Sequence, residues 1–231
     1  SDLICRVDET NYPHDLKKIK DRPEVLYYRG NIDILNEHKS IAVVGSRKIS
    51  AVGAKLAYNA GSIIGKNGFN LVNGLALGCD AEALKGALAA GGKCAVVLPC
   101  GINEIYPKSN QWIAEEVLKQ GGCLISEYPE GTRPEKYRFV QRDRLQSGMS
   151  QGVLVVEAME KSGTMHTAEY AKKQNRRLAC YYHGLLKYST GNNVLENLYQ
   201  AAVIKTNEDL ENYLCEIADI EEYTQLSFDF V

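Results

Sequence analysis

The chain has 231 residues, 45% hydrophobic and 24% charged, with a formal net charge of −2. This length suits one α/β domain with a full core, and the composition is that of a soluble globular protein. No apolar run approaches the ~20 residues of a membrane span and no signal peptide is visible, so we expect a cytoplasmic protein. The seven cysteines form no CxxC pair, which favours buried free thiols over a zinc site or a catalytic thiol.

Residues 1–38 are predicted to form an N-terminal extension packed on a sheet, and residues 39–205 form the main domain. There, short continuously apolar runs alternate with amphipathic stretches, as in strands that are covered on both faces. Strands are predicted at 41–44, 70–72, 94–98, 123–125, 153–156, 178–181 and 202–204, and helices at 51–67, 80–90, 110–120, 164–175 and 194–198. This order predicts an α/β fold, an extended Rossmann-like, doubly wound, mostly parallel sheet flanked by helices, with ligands at the carboxyl ends of the strands.

The first strand ends in Gly45-Ser46-Arg47, and a helix follows. Glycine lets the backbone approach a ligand, a helix start offers free N–H groups to phosphate, and arginine adds a fixed positive charge. The segment is not a GxGxxG fingerprint and no acidic residue ends the next strand, so NAD binding is disfavoured. The alternative is a purely structural turn.

After the second strand, Gly74 and Gly78 precede Asp80. The glycines would permit close backbone approach to a phosphate chain, and Asp80 would cap the next helix; one helix end can serve both purposes. Further on, Tyr106 could stack on a base, although a buried structural tyrosine is the favoured interpretation.

Residues 127–142 are predicted to form a long loop that is rich in basic residues. Tyr137 and Phe139 lie among its cations, a combination that suits single-stranded nucleic acid, although a solvated charged loop is the alternative. The basic residues of this region are Arg133, Lys136, Arg138, Arg142 and Arg144.

The segment Ser162-Gly163-Thr164 opens a predicted helix and could present N–H groups and hydroxyls to a phosphate. His166 lies in the first turn, where a surface or packing role is more common than catalysis. No set of residues with metal-ligand spacing accompanies it, so no metal and no cofactor are expected.

Residues 206–231 are predicted to form an acidic helix over 206–218, with Asn207 as N-cap, and a flexible tail. From Glu208 onward the chain carries eight acids and no Lys or Arg, leaving 27 basic residues against 21 of the 29 acidic ones in the body. A basic body with an acidic tail fits a nucleic-acid binder, and a solvated terminal helix is the alternative.

Taken in order, these segments resemble the DprA/Smf family of bacterial DNA-processing proteins. The resemblance covers roughly residues 11–205 and also rests on Ser126–Thr132 and on Val155–Ala158. It does not extend to the C-terminal winged helix that many members carry, and Asp143 stands where the family usually has Asn. The chain is therefore expected to be a divergent member.

The resemblance implies a non-enzymatic homodimer that binds single-stranded DNA non-specifically and helps load a RecA-type recombinase during DNA uptake and transformation. Arg47, Arg142 and Arg144 would contact phosphates. The full expected DNA-binding set is Gly45, Ser46, Arg47, Gly74, Ala76, Gly78, Asp80, Arg138, Arg142, Arg144, Ser162, Gly163 and Thr164. The tail segment from Gln225 to Phe230 also resembles peptides that dock on the bacterial sliding clamp, which makes the clamp a further possible partner.

Two other functions stay open. A nucleotide-sensing Rossmann module would bind a small phosphorylated signal at the same face. A LOG-type nucleotide phosphoribohydrolase would need a carboxylate after Gly163-Thr164, where Thr167 stands instead, so that Glu157 or Glu169 would have to substitute.

Overall fold

A computed structural model describes residues 3–228, without the side chains of residues 220–228. Nine strands form one sheet within this part of the chain, in the order β1-β2-β6-β5-β4-β3-β7-β8-β9. The strands are β1 (Leu3–Arg6), β2 (Val25–Gly30), β3 (Ser40–Val44), β4 (Asn70–Asn73), β5 (Cys94–Val97), β6 (Cys123–Ser126), β7 (Gly152–Val155), β8 (Arg177–Tyr181) and β9 (Ala202–Ile204). All neighbours from β6 to β9 run parallel, which confirms the predicted fold class.

Helices cover both faces of the sheet. They are α1 (His14–Lys17), α2 (Ile34–Glu37), α3 (Ala51–Lys66), α4 (Cys79–Ala89), α5 (Gln111–Lys119), α6 (Lys136–Gly148), α7 (Thr164–Lys173), α8 (Thr190–Leu198) and α9 (Asn207–Phe228). Side chains of α3, α4, α5 and α9 share one apolar core with one face of the sheet, and those of α1, α2, α6, α7 and α8 share the other. Alternate residues of β3 belong to the two cores, which explains why this strand is apolar throughout.

The N-terminal extension adds two strands to the sheet and also packs on one of its faces through α1 and α2. Strand β2 pairs antiparallel with β6, and β1 pairs antiparallel with β2, so the first 30 residues supply the final two strands on that side. Tyr12 and Leu16, between the two strands, are buried. The extension therefore covers the edge that β6 would otherwise expose.

Strand β3 lies between β4 and β7, and this position creates a switch in the direction of winding. The chain moves from β3 through β4 and β5 to β6 on one side, then returns through α6 to β7 on the other side of β3. In open α/β sheets, ligands bind at the carboxyl ends of strands where the winding direction reverses. A ligand site is therefore expected at the carboxyl ends of β3 and β7.

Two predicted segments differ from the structure. The predicted loop at 127–142 is a loop only as far as Glu135, because α6 begins at Lys136. The predicted flexible tail is helical as far as Phe228, while residues 229–231 lie outside the described residues. The proposed clamp-binding segment is therefore only partly described.

At the start of α9, Thr206 is the capping residue, in place of the predicted Asn207. Its hydroxyl oxygen accepts a hydrogen bond from the Asp209 N–H at 3.1 Å. The Asp209 carboxylate in turn accepts from the N–H groups of Lys205 and Thr206, which orders the turn that leads from β9 into the helix.

Six cysteines are buried and Cys215 is exposed, and all seven are free thiols, as predicted. Within residues 3–228, no helix is long and apolar enough to cross a membrane.

Candidate functional site

A pocket of about 1070 Å³ opens at the carboxyl ends of β3, β4 and β7, at the switch in winding direction. We call it the switch-point pocket. Its lining comes from the end of β3, from the loops after β3, β4, β5 and β7, from the first turn of α4, from α6 and α7, and from one residue after β8. The lining residues are Val44, Gly45, Ser46, Arg47, Lys48, Ala76, Asp80, Tyr106, Lys136, Phe139, Val140, Arg142, Asp143, Gln146, Met159, Ser162, Gly163, Thr164, His166, Thr167 and Tyr188.

The loop from β3 to α3 is held by Glu157, which follows β7. The Glu157 carboxylate accepts hydrogen bonds from the Ser50 N–H and hydroxyl, each at 2.7 Å, and its carbonyl accepts from the Ser46 N–H at 2.7 Å. Ser50 in turn caps α3 by accepting from the Gly53 N–H. Glu157 is fully buried, so its role is to anchor this loop, which leaves Arg47 and Lys48 exposed at the pocket rim.

The loop from β4 to α4 is held by Asp80. Its Oδ2 atom accepts from the N–H groups of Gly74 and Ala76, at 3.0 and 3.3 Å. The prediction of Asp80 as the helix N-cap is therefore wrong: it lies inside the first turn of α4 and orders the preceding loop. Burial raises the pKa of Asp80 to about 6, although the nearby Arg142 and the two N–H groups lower it.

Gly78 brings the β3 and β4 loops together. Its φ is +75°, in the left-handed region, and a Cβ atom there would lie 2.5 Å from the carbonyl oxygens of Ser46 and Arg47. The Cys79 N–H donates to the Ser46 carbonyl at 3.1 Å. Only glycine fits this position, since any side chain would push the two loops apart.

Arg142 lies in the pocket floor, and its main role is to hold neighbouring parts of the fold together. It is 5% exposed, and its Nη1 atom donates to the carbonyls of Gly74 and Val97 at 3.1 and 2.9 Å. Its guanidinium thus links α6 to the ends of β4 and β5. These bonds use the N–H groups of Nη1 on the guanidinium that the resemblance assigns to a DNA phosphate.

Arg144 faces away from the switch-point pocket. It is 6% exposed, and its two Nη atoms bind the Glu127 carboxylate at 2.6 and 2.8 Å. Its Nε atom donates to the Asp21 carbonyl, which ties the N-terminal extension to α6. These bonds engage the Arg144 guanidinium within the protein, and the expected contact of Arg144 with a DNA phosphate stays a prediction.

Aromatic rings line the pocket beside these cations. The Phe139 ring lies 5.1 Å from the Arg47 guanidinium and 5.7 Å from that of Arg142, and Tyr106 meets it edge-on at 5.5 Å. Tyr106 is 40% exposed, so the favoured interpretation of a buried structural tyrosine is wrong. The ring is instead placed where a ligand can reach it.

The start of α7 closes the opposite side of the pocket. The Ser162 hydroxyl donates to the Met159 carbonyl at 2.6 Å, and nothing lies within 4 Å of the position that a Cβ would take at Gly163. The backbone at Gly163 is therefore open to a ligand. His166, one residue after the Thr164–Met165 pair, is exposed on the same turn.

Nine of the predicted site residues line the pocket: Gly45, Ser46, Arg47, Ala76, Asp80, Arg142, Ser162, Gly163 and Thr164. The other four, Gly74, Gly78, Arg138 and Arg144, lie outside its lining. The Arg138 guanidinium rests over the rings of Tyr128 and Tyr137, at 5.2 and 5.1 Å.

Sequence reasoning did not single out Lys48, Met159 or Tyr188. Lys48 directly follows Arg47, and Tyr188 lies in the loop after the parallel strand β8, so the rule that ligands bind at carboxyl ends could have suggested both.

The groups of this pocket suit binding of an anionic polymer. Arg47, Lys48 and Lys136 are exposed cations, whereas burial raises the pKa of the Cys79 thiol behind the pocket well above its usual range and disfavours a thiolate. Glu157 is committed to Ser50, and Glu169 lies outside the lining, where it accepts from the Tyr199 hydroxyl at 3.4 Å. Among the described residues, no cluster of His, Cys, Asp and Glu could hold a metal ion.

Comparison with known proteins gives consistent matches. The family model for DNA recombination-mediator protein A matches residues 3–214. The DNA processing protein DprA of Bacillus subtilis is 36% identical over 172 residues, which cover 74% of this chain and 58% of that protein. Protein Smf of Escherichia coli is 38% identical over 175 residues, covering 76% of this chain and 46% of that protein. The chain thus spans about half the length of the curated relatives that it matches.

Among solved structures, DNA processing protein A from Helicobacter pylori, described for its single-stranded DNA binding mode, superposes with a TM-score of 0.83. It is 29% identical, and the match covers 93% of this chain and 96% of that one.

Proposed function

Because the chain belongs to the DNA recombination-mediator protein A family, we propose that it binds single-stranded DNA in the switch-point pocket. One observation carries the proposal: exposed cations and accessible aromatic rings converge at the carboxyl end of the sheet. Arg47, Lys48 and Lys136 supply the charge, and Phe139 and Tyr106 supply the rings. Proteins that bind single strands without sequence preference combine these two features.

In this proposal the phosphates lie along the rim and the bases lie inside. Arg47 and Lys48 bind the backbone from one side, and the open N–H groups at Gly163 and Thr164 bind it from the other. Arg142 acts from beneath, holding the β4 loop and the Phe139 ring in place. The expected contacts of Gly45, Ser46, Ala76, Ser162 and Thr164 remain part of the proposed site.

Titration of a labelled oligo-dT at two salt concentrations tests the proposal. We expect tight binding that weakens with salt, because each neutralised phosphate of a single strand contributes a slope of about −0.7 in log K against log salt. Arg47→Ala should weaken binding roughly tenfold, as expected for the loss of a charge-assisted hydrogen bond, and should reduce the salt slope by about 0.7.

The matched control is Lys66→Ala. Lys66 is an exposed cation at the last turn of α3, at the opposite end of the sheet from the pocket. This variant should bind as the wild type does. Equal losses for the two variants, or binding that is insensitive to salt, would contradict the proposed site.

A nucleotide-sensing role is the second candidate, because a pocket of about 1070 Å³ could also enclose a free nucleotide. In that case a mononucleotide would raise the melting temperature while oligo-dT would not bind. The same titration therefore separates the two functions.

We also propose that the chain acts as a homodimer and helps load a RecA-type recombinase onto the bound strand, with sequence-independent binding, in DNA uptake and transformation. Family membership supports this role, and the acidic α9 next to a basic body fits a protein-binding element. Light scattering of the purified chain tests the dimer, and recombinase assembly on coated DNA tests the loading.

A further inference from the structure

Two tyrosines and an arginine form a group at the carboxyl end of β6, beside the switch-point pocket. The Arg138 guanidinium lies over the rings of Tyr128 and Tyr137, at 5.2 and 5.1 Å from their centroids. Tyr128 lies two residues after β6, and β6 runs parallel to β5, β4 and β3. These three side chains, which we call the tyrosine–arginine stack, therefore lie at the same end of the sheet as the pocket.

The tyrosine–arginine stack is continuous with the pocket along α6. Lys136 and Phe139 line the pocket, and Tyr137 and Arg138 lie between them in the first turn of the helix. Successive helix residues point about 100° apart, so Lys136 faces the pocket while Tyr137 turns toward the end of β6. A strand that leaves the pocket over Lys136 therefore meets the Tyr137 ring next.

One end of the tyrosine–arginine stack is open to solvent. Tyr137 is 55% exposed, so its ring is accessible on the side that Arg138 does not cover, whereas Tyr128 is half-buried. Arg138 Nη1 donates to the Arg133 carbonyl and, at 2.9 Å, to the Glu135 carboxylate, which fixes the guanidinium beneath the ring. The cation–π contact then positions the ring before a ligand arrives, and a preorganised group loses less entropy on binding.

The charges around the exposed ring suit a nucleic-acid backbone. Residues 128–138 carry three cations and two acids, and one of these acids, Glu135, is already paired with Arg138 at 2.9 Å. Arg133 and Lys136 are exposed on either side of that pair. Positive charge next to an accessible aromatic face is the combination that single-strand binders use outside any sequence readout.

We propose that a base of the bound strand stacks on the open face of Tyr137, so that the DNA site extends from the switch-point pocket across the start of α6. This inference rests on the proposed function, because the strand must occupy the pocket to reach the ring. Every base has a π-face, so the contact is sequence-tolerant and agrees with sequence-independent binding. Arg133 and Lys136 neutralise the phosphates that flank this base.

Titration of a labelled oligo-dT with two variants of the full chain tests the affinity. Tyr137→Ala should weaken binding roughly tenfold, within the range measured for the loss of one base–aromatic stack. Tyr137→Phe keeps the ring and should bind as the wild type does. Because neither change removes a charge, the salt slope should stay at the wild-type value in both, unlike in Arg47→Ala.

The matched control is Tyr58→Ala. Tyr58 is an exposed tyrosine in the middle of α3 and does not line the pocket, so its removal should leave binding unchanged.

A fluorescent base reports the stacking itself. The oligo-dT carries one 2-aminopurine, whose emission falls when it stacks on an aromatic ring, and the probe is placed at each position in turn. With saturating protein, emission at one or more positions should be higher in Tyr137→Ala than in the wild type, and Tyr137→Phe should match the wild type.

The outcomes keep the two proposals apart. Equal affinity and equal emission of Tyr137→Ala and the wild type would overturn the stacking proposal while leaving binding in the pocket intact. A loss of affinity without a change in emission, or with a smaller salt slope, would overturn it as well, since the ring would then act only by positioning neighbouring cations. Failure of the wild type to bind any oligonucleotide would overturn both proposals.

Discussion

Two arginines contact the same ring in very different surroundings. The guanidinium groups of Arg47 and Arg142 both lie over Phe139, yet Arg47 is exposed and Arg142 is buried. Arg47 can exchange water for a phosphate at little cost. Moving Arg142 onto a ligand would strip the buried carbonyls of Gly74 and Val97 of their donor, which costs about 1–3 kcal/mol for each group left unpaired.

Asp80 should make the free energy of unfolding depend on pH. Burial raises its pKa to about 6 from 3.8, so the folded state holds the proton more tightly than the unfolded state does. The contribution is favourable at low pH and is lost as the pH rises through about 6. From pH 4 to pH 7, the wild type should lose about 2 kcal/mol of unfolding free energy relative to Asp80→Asn, which cannot ionise.

Urea unfolding of both proteins at pH 4 and pH 7 measures this difference. Asp143 and Arg142 on α6 are the charged groups that act on Asp80. Because the comparison is between two proteins over the same pH range, titration of the remaining residues cancels. A constant difference between the two proteins would mean that Arg142 keeps the Asp80 carboxylate ionised throughout.

At the scale of elements, the α3–α4 pair sets the position of the two pocket-lining loops that follow β3 and β4. The two helices cross closely because glycines replace side chains at the contact. A Cβ at Gly86 would lie 1.9 Å from the Tyr58 carbonyl oxygen, and one at Gly61 would lie 2.0 Å from that of Ala83. The starts of α3 and α4 flank the pocket, so this contact fixes the spacing between the Arg47 and Ala76 loops.

Gly86→Ala should therefore destabilise the fold by about 3 kcal/mol, in the upper range for overpacking. Replacing glycine by alanine inside a helix by itself stabilises the helix by about 1 kcal/mol. A net loss of stability can therefore only come from the contact between the two helices. Chemical denaturation measures it. The control is Gly163→Ala, at a helical φ of −60° with open space around the Cβ, which should stay within about 1 kcal/mol of the wild type. Similar stability of the two variants would contradict the close crossing.

Helix α6 shows where sequence patterns stop being informative. Its residues 142–147 are all buried, yet Arg142, Asp143, Arg144 and Gln146 are polar, so no apolar stripe marks a helix. The partners of the two arginines lie far away in sequence, at Gly74, Val97, Glu127 and Asp21. The charged stretch therefore resembled an exposed basic loop, although it forms a buried part of α6.

At the scale of the whole molecule, nine strands between two helical layers bury almost every cysteine. Cys5, Cys79, Cys94, Cys100, Cys123 and Cys180 are buried, and burial raises the pKa of each of these thiols. Thiolate, the reactive form, is accordingly scarce in the folded protein.

Titration with a thiol reagent should find about one fast-reacting thiol in the native protein, Cys215, and all seven in denaturant. Cys215→Ser should remove the fast phase without changing the slow one. A native protein that exposes three or more thiols quickly would contradict this packing, in particular the packing of the N-terminal extension, which contains the buried Cys5 and covers the edge of β6.

The sequence by itself determined the alternation of strands and helices, the loop at Gly45–Arg47 and the family resemblance. These features depend on residues that are close together in the chain: continuous apolar runs, helix periodicity and glycine at tight turns. The tertiary structure alone decided which charges face the pocket. Whether an arginine is free to bind a ligand or is held in hydrogen bonds within the protein depends on the carbonyls and carboxylates that the fold brings near it. That is why Arg47 lies exposed at the pocket rim, Arg142 binds the carbonyls of Gly74 and Val97 beneath it, and Arg144 pairs with Glu127.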